Sequence, residues 1–522
     1  MATSAAVAVT TDASPNPGTL ESWLKRLPAD SCAAFNALRE HVQDLAASSV
    51  DAQQRFAMLE RMRSHAAALM PEQRRWYIGR PVPFNGDERQ AWEASVRLWE
   101  AFYFSFAVCT ESATSAHDAT VWQRALDCLG RAIREHSYAY RAVPTALWKE
   151  LNSCYRSVET CELSELAVTD TEQPGSQSSC RGAYLMTVLH DAAHLYALSP
   201  TQMQALEQIL PSWIAAVDLT IATPSDSARS PLAIDLCGES GPQLARELQP
   251  AASLRYLDMS ELAPKLRELA ATVRGGILPP EFTAAGTLER AGTERLLTHL
   301  YIQWCSAGSS RVDERHSSQG RAQVALNMHA IHFQVSGRAF RQPGLRYTHE
   351  EQHDLATFGH ITGRTEQRLL TGRSSALEPW EIENHSASGV LIMVRQPDLE
   401  SRIKHGQLVA MRTSGIDPVL LAQVQRLRIE QNGSLCIGVR IVRAPVHAAA
   451  VRPLGDPALK YERALLVEAD TERNIPGFLV LPPGKFALES ILELHTGKPE
   501  KFVVTGILDQ NDDYDRVTYK VA

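Results

Sequence analysis

The chain is 522 residues long, enough for about three domains of ordinary size. Its formal net charge of −8 and pI near 6.1 give no global field that would draw it to nucleic acid or anionic lipid, so an anionic ligand has to be met by a local group of arginines. No run of about 18 apolar residues offers a membrane span. Nine scattered cysteines without a CxxC pair suit reduced thiols in a cytoplasm better than a disulfide framework or a zinc site.

Residues 1–18 lack the basic start and continuous apolar core of a secretory signal and read as a disordered tail. From 19 to 306 the dominant period is helical, which predicts an N-terminal all-α domain. Trp92, Val96, Trp99, Tyr103 and Phe106 fall on one stripe of a helix and read as core. Ser199, Pro200 and Gln202 supply an N-cap, a first-turn proline and a capping-box partner, predicting a helix from there to about Val217. Two strand-like pieces, 231–236 and 253–259, interrupt the helices and are expected to pair with each other. Leu296, Leu300 and Trp304 mark a last helix.

After Trp304 the texture changes. Residues 321–335 have strand composition, 337–378 are polar and rich in Gly, Arg and His, and short strands then follow one another from Trp380: WEIENHS, GVLIMV, GQLVAMR, VLLAQVQRLRI and LCIGVRIV. Strands this short and closely spaced predict a small antiparallel barrel over 307–450, with 321–335 as its first strand and 337–378 as an insertion. Residues 451–522 read as a further β unit packed on the first.

Between the first two of these short strands lies a polar interruption, Asn384-His385-Ser386-Ala387-Ser388-Gly389. It fits the (D/N)xSxxG signature of PilZ domains, and LCIGVRIV at 435–442 resembles the strand that closes their barrel. The resemblance covers about a quarter of the chain. It implies a six-stranded barrel that binds cyclic di-GMP, with Asn384, Ser386 and Gly389 at the ligand and an RxxxR pair ahead of the first strand. Two pairs fit that pattern. Arg311 and Arg315 precede 321–335, whereas Arg364 and Arg368 leave no room for a strand before Trp380, so the first pair is favoured. Chemically, a guanidinium meets the O6 and N7 acceptors of guanine with two hydrogen bonds and also pairs with phosphate. The expected function is therefore a cytoplasmic cyclic di-GMP receptor that relays the messenger level to an unknown protein partner through its helical domain, with no nucleic-acid or membrane partner. The alternative is an interaction scaffold with a degenerate barrel that no longer binds nucleotide.

Two histidine pairs compete for attention. His349-Glu350-Glu351-Gln352-His353 matches HExxH, but its polar flanks lack the apolar helix that a zinc hydrolase needs, and no metal is assigned. His190 and His194 fall on one face of a predicted helix without a nameable third ligand, and read as a partly buried pair. No P-loop, GxGxxG or GxSxG is present, so the chain is read as a non-enzyme with no cofactor.

Overall fold

The aromatic stripe lies where its period puts it, on α4 (Gly86–Thr110), with Trp92, Val96, Trp99, Tyr103 and Phe106 all buried. The fold is that of a computed structural model, which describes residues 17–110, 116–169, 177–224, 231–285, 288–306, 316–344, 347, 349–360, 362, 377–385, 390–395, 401–413, 419–454, 459–470, 476–510 and 513–522. The chain forms two compact units, one of residues 1–80 and 84–311, the other of 81–83 and 312–522.

In the first unit α4 packs among α2 (Ser31–Ala47), α3 (Ala52–Arg74) and α5 (Ala116–Tyr138), while α5 packs also on α6 (Thr145–Thr160) and α7 (Cys180–Ala192). A short helix, α1 (Pro17–Leu24), precedes them, so Pro17 and Gly18 of the expected tail are helical and residues 1–16 lie outside the described residues. The hairpin β1 (Val168–Thr169) and β2 (Gln177–Ser178) joins α6 to α7. The capping box at Ser199 and Gln202 forms as the sequence predicts and starts α8 (Pro200–Ile209). That helix ends well before Val217. Pro211 cannot donate a backbone bond, and the chain passes into single 3₁₀ turns at 210–212 and 214–216.

Beyond α8 the helical unit carries a small sheet of β3 (Asp218–Thr220), β4 (Leu232–Asp235), β5 (Gln243–Leu244) and β6 (Leu254–Asp258), in the order β3-β6-β4-β5. The two strand-like pieces of the sequence are β4 and β6, and they pair antiparallel. Helices α9 (Leu262–Arg274), α10 (Pro280–Ala285) and α11 (Arg290–Leu300) complete the unit, and Leu296, Leu300 and Trp304 are buried.

A charged network ties α3, α5 and α8 together. Glu60 accepts from Arg63 and Arg124 at 2.9 Å each, Arg131 reaches Asp127 at 2.8 Å, and Arg74 bridges Glu135 at 2.6 Å and Glu207 at 2.7 Å. Burial pushes the Glu60 carboxyl up, but the two guanidinium groups win and hold it below its ordinary value. Helices α5 and α7 approach closely at Gly130, where a Cβ would stand 2.1 Å from Thr187 Oγ1. Only glycine fits there.

His190 lies at this junction. Its Nδ1–H donates to the Met186 carbonyl at 2.7 Å, and burial, helped by Arg134, pushes its pKa down to about 3. The folded state therefore refuses a proton that the unfolded chain accepts from about pH 6.5 downward, and stability falls as pH drops through that window. Between pH 7 and pH 5 this one group is expected to cost about 2 kcal/mol, and urea unfolding at the two pH values should show a smaller loss for His190→Gln than for wild type. His194 does not share a helical face with it, because α7 ends at Ala192 and His194 adopts a left-handed φ of 52°.

The second unit consists of two closed six-stranded antiparallel barrels. The first is built from β7 (His316–Ala325), β8 (Glu378–His385), β9 (Val390–Arg395), β10 (Leu408–Thr413), β11 (Leu420–Ile429) and β12 (Leu435–Ile441). The second contains β13 (Val446–Pro453), β14 (Glu462–Val467), β15 (Phe478–Leu481), β16 (Ile491–His495), β17 (Pro499–Gln510) and β18 (Asp515–Val521). Both use one topology. In each, the first strand pairs with the second, the second with the third, the third with the sixth, the sixth with the fifth, the fifth with the fourth, and the fourth with the first.

One sequence expectation is corrected here. The segment 321–335 is strand only as far as Ala325, and α12 (Met328–Ser336) follows, capped by the Asn327 side chain at Ala330 N and ended by Gly337 at φ 68°. Helix α12 buries Ala330 and Ile331 in a core shared by both barrels, with Leu408, Ala410, Leu421, Leu465, Val467, Phe478 and Val480. The same seam explains why FLVL at 478–481 is apolar throughout. Phe478 and Val480 face the shared core, while Leu479 and Leu481 face the interior of the second barrel.

Candidate functional site

The edge of the first barrel that bears the polar interruption is set by strand register. β8 opposes β7 and β9, and its alternation first points inward: Trp380 is fully buried, and Ile382 lies opposite buried Met393. Asn384, two residues on, would continue inward in a regular strand. It does not. From Ile382 to Asn384 β8 advances two residues while β9 moves one, Met393 to Ile392, so Glu383 is the extra residue of a bulge.

Asn384 then opposes Ile392, and Ile392 opposes Gly438 on β12. Gly438 lies between buried Ile437 and Val439, so its position faces outward, and directly opposed residues share a face. The bulge thus turns Asn384 onto the outer surface, where it is half-buried near the end of β8. Of the other residues singled out in the sequence, Arg311, Arg315, Ser386 and Gly389 lie outside the described residues, as do Arg364 and Arg368. The first barrel strand begins at His316, immediately after Arg315, and among the described residues 337–377 supply no barrel strand.

At the other end of β8 and β9 the barrel holds a buried ion pair that sequence reasoning missed. Arg395 Nε donates to Glu378 Oε2 at 2.9 Å, and the same oxygen accepts from Trp380 Nε1 at 3.2 Å. Arg395 closes β9 and Glu378 opens β8, so the pair fixes the two strands that carry the loop. Glu378 ahead of Trp380 and Arg395 at the end of the apolar VLIMVR were the available signal, but they read equally well as two solvated strand ends.

The HExxH segment forms α13 (His349–Phe358) with both histidines exposed. Its inward residues are Glu351, paired with Arg341 at 2.5 Å, and Asp354, which accepts from Thr362 N at 2.9 Å and Oγ1 at 2.7 Å. These acids are occupied in holding the insertion together. Among the described residues no cluster of three His, Cys, Asp or Glu side chains could hold a metal ion, and no helix is long and apolar enough to cross a membrane.

Residues 18–225 match the family described as the N-terminal domain of the cyclic-di-GMP receptor FimW. The match covers less than half of the chain and, apart from residues 81–83, falls on the helical unit. No curated protein matches the chain.

Proposed function

We propose that this protein is a cyclic di-GMP receptor in which the first barrel binds the nucleotide and the helical unit carries the signal to a protein partner. The observation that carries the reading is the match of residues 18–225 to the N-terminal domain of a receptor for that ligand. It is supported by a closed six-stranded barrel in the same chain, whose sequence holds the (D/N)xSxxG pattern between its second and third strands. Asn384, Ser386 and Gly389 form the platform, and Arg311 and Arg315 clamp guanine and phosphate. The start of β7 at His316 supports that arginine pair over Arg364 and Arg368, because Arg315 immediately precedes β7 in the sequence. No catalytic step is assigned.

A thermal-shift measurement tests the reading. Ligand at a hundredfold excess over its dissociation constant adds about 2.7 kcal/mol to stability, so cyclic di-GMP should raise the melting temperature and GTP at equal concentration should not. No shift with either favours the scaffold. The bulge gives a second handle. Deleting Glu383 makes Asn384 the direct successor of Ile382, so Asn384 stays opposite Ile392 and faces outward, and the deletion, like Glu383→Ala, is expected to retain the shift.

A further inference from the structure

The row of opposed residues that brings Asn384 to the surface does not stop at Gly438. Gly438 in turn opposes Arg426 on β11, so Asn384, Ile392, Gly438 and Arg426 occupy one level across four neighbouring strands. Arg426 follows a register shift between Val424 and Arg426, a second irregularity at the same level of the barrel. It precedes buried Leu427 and faces outward, half-buried.

Its side chain does not extend straight into solvent. A Cβ built on Gly438 would stand 3.0 Å from Arg426 Cβ and 3.7–3.8 Å from Cδ and Cγ, so the arginine lies along the glycine and leans toward the strands of the motif. Burial raises the Cys436 thiol, the Arg426 and Arg428 guanidinium groups draw it back down, and the Glu383 and Glu430 carboxylates push it up. Neighbouring strands are about 4.8 Å apart, so Arg426 starts roughly 14 Å from the strand of Asn384 and shortens that gap by leaning across the glycine.

We infer that Arg426 is the far contact of the nucleotide platform, reaching over Gly438 to an acceptor array of the ligand, either a phosphate or the O6/N7 edge of a guanine. The inference rests on the receptor reading above. The glycine has a matching role: with no side chain at 438, Arg426 can lie across the glycine, which is itself buried. Arg428, the next outward arginine on β11, opposes Cys436 rather than the motif row and is paired with Glu430 at 3.5 Å. It serves as the control.

Calorimetry on the full-length protein with cyclic di-GMP tests this. Arg426→Gln and Arg426→Ala are expected to weaken binding by about tenfold or more, Arg426→Lys to retain part of it, and Arg428→Ala to leave it unchanged. Gly438→Ala should weaken binding in the same direction by crowding Arg426. Urea midpoints separate a lost contact from a damaged barrel, since Arg426→Gln keeps most of the stem and should unfold with wild type. If wild type binds and Arg426→Gln and Arg426→Ala bind equally well, this inference alone is overturned. If wild type gives no heat, the receptor reading fails and takes the inference with it.

Discussion

Arg311→Ala and Arg315→Ala are each expected to weaken cyclic di-GMP binding by about ten- to a hundredfold, since each removes charge-assisted contacts of about 1–3 kcal/mol. Folding stability should barely change. Arg364→Ala and Arg368→Ala are the internal controls and should be near neutral. Ser386→Ala should cost less than either clamp arginine, because a neutral hydroxyl contributes about 0.5–1.5 kcal/mol net. Calorimetric titration of the five variants ranks them directly. If the losses fall instead on Arg364 and Arg368, the clamp comes from the insertion between β7 and β8.

Arg395→Met is expected to destabilise the first barrel by about 3–5 kcal/mol, a large share of the stability of any domain. The reason is what it leaves behind: Glu378 would remain buried with Trp380 Nε1 as its neutral partner and no cation. Removing both charges is a milder change, because an apolar pair of similar volume pays no desolvation. The double variant Arg395→Met with Glu378→Leu should therefore unfold at a higher urea concentration than Arg395→Met alone. Equal midpoints for the single and double variants would show that the ion pair does not anchor β8 to β9.

Legibility in the sequence followed local period and composition. The stripe of α4 was readable from its helical recurrence, although that helix is buried around most of its circumference, and the β4–β6 pair from its strand composition. The residues of α12 were not, since RAQVALNMHAIHFQV alternates well enough for a strand, and only its caps, Asn327 and Gly337, marked the helix. The second barrel was legible as β structure but not as a closed copy of the first topology. Its opening strand, Val446–Pro453, has alanine at three of its eight residues, and its last, Asp515–Val521, mixes polar residues with few apolar ones.

The platform shows the same division. Asn384 was found by motif, but what turns it outward is the bulge at Glu383, and a single extra residue leaves no mark on composition. Arg426 was missed for a related reason. It stands more than forty residues from Asn384, and only strand pairing brings the two to one level.

Isothermal titration of the full-length protein with cyclic di-GMP addresses the receptor function most directly. Saturable heat is expected with wild type, lost or greatly reduced when Arg311→Ala and Arg315→Ala are combined, and absent when GTP replaces the ligand. An absence of heat with wild-type protein that unfolds cooperatively would contradict the receptor function and leave the barrel as part of a scaffold.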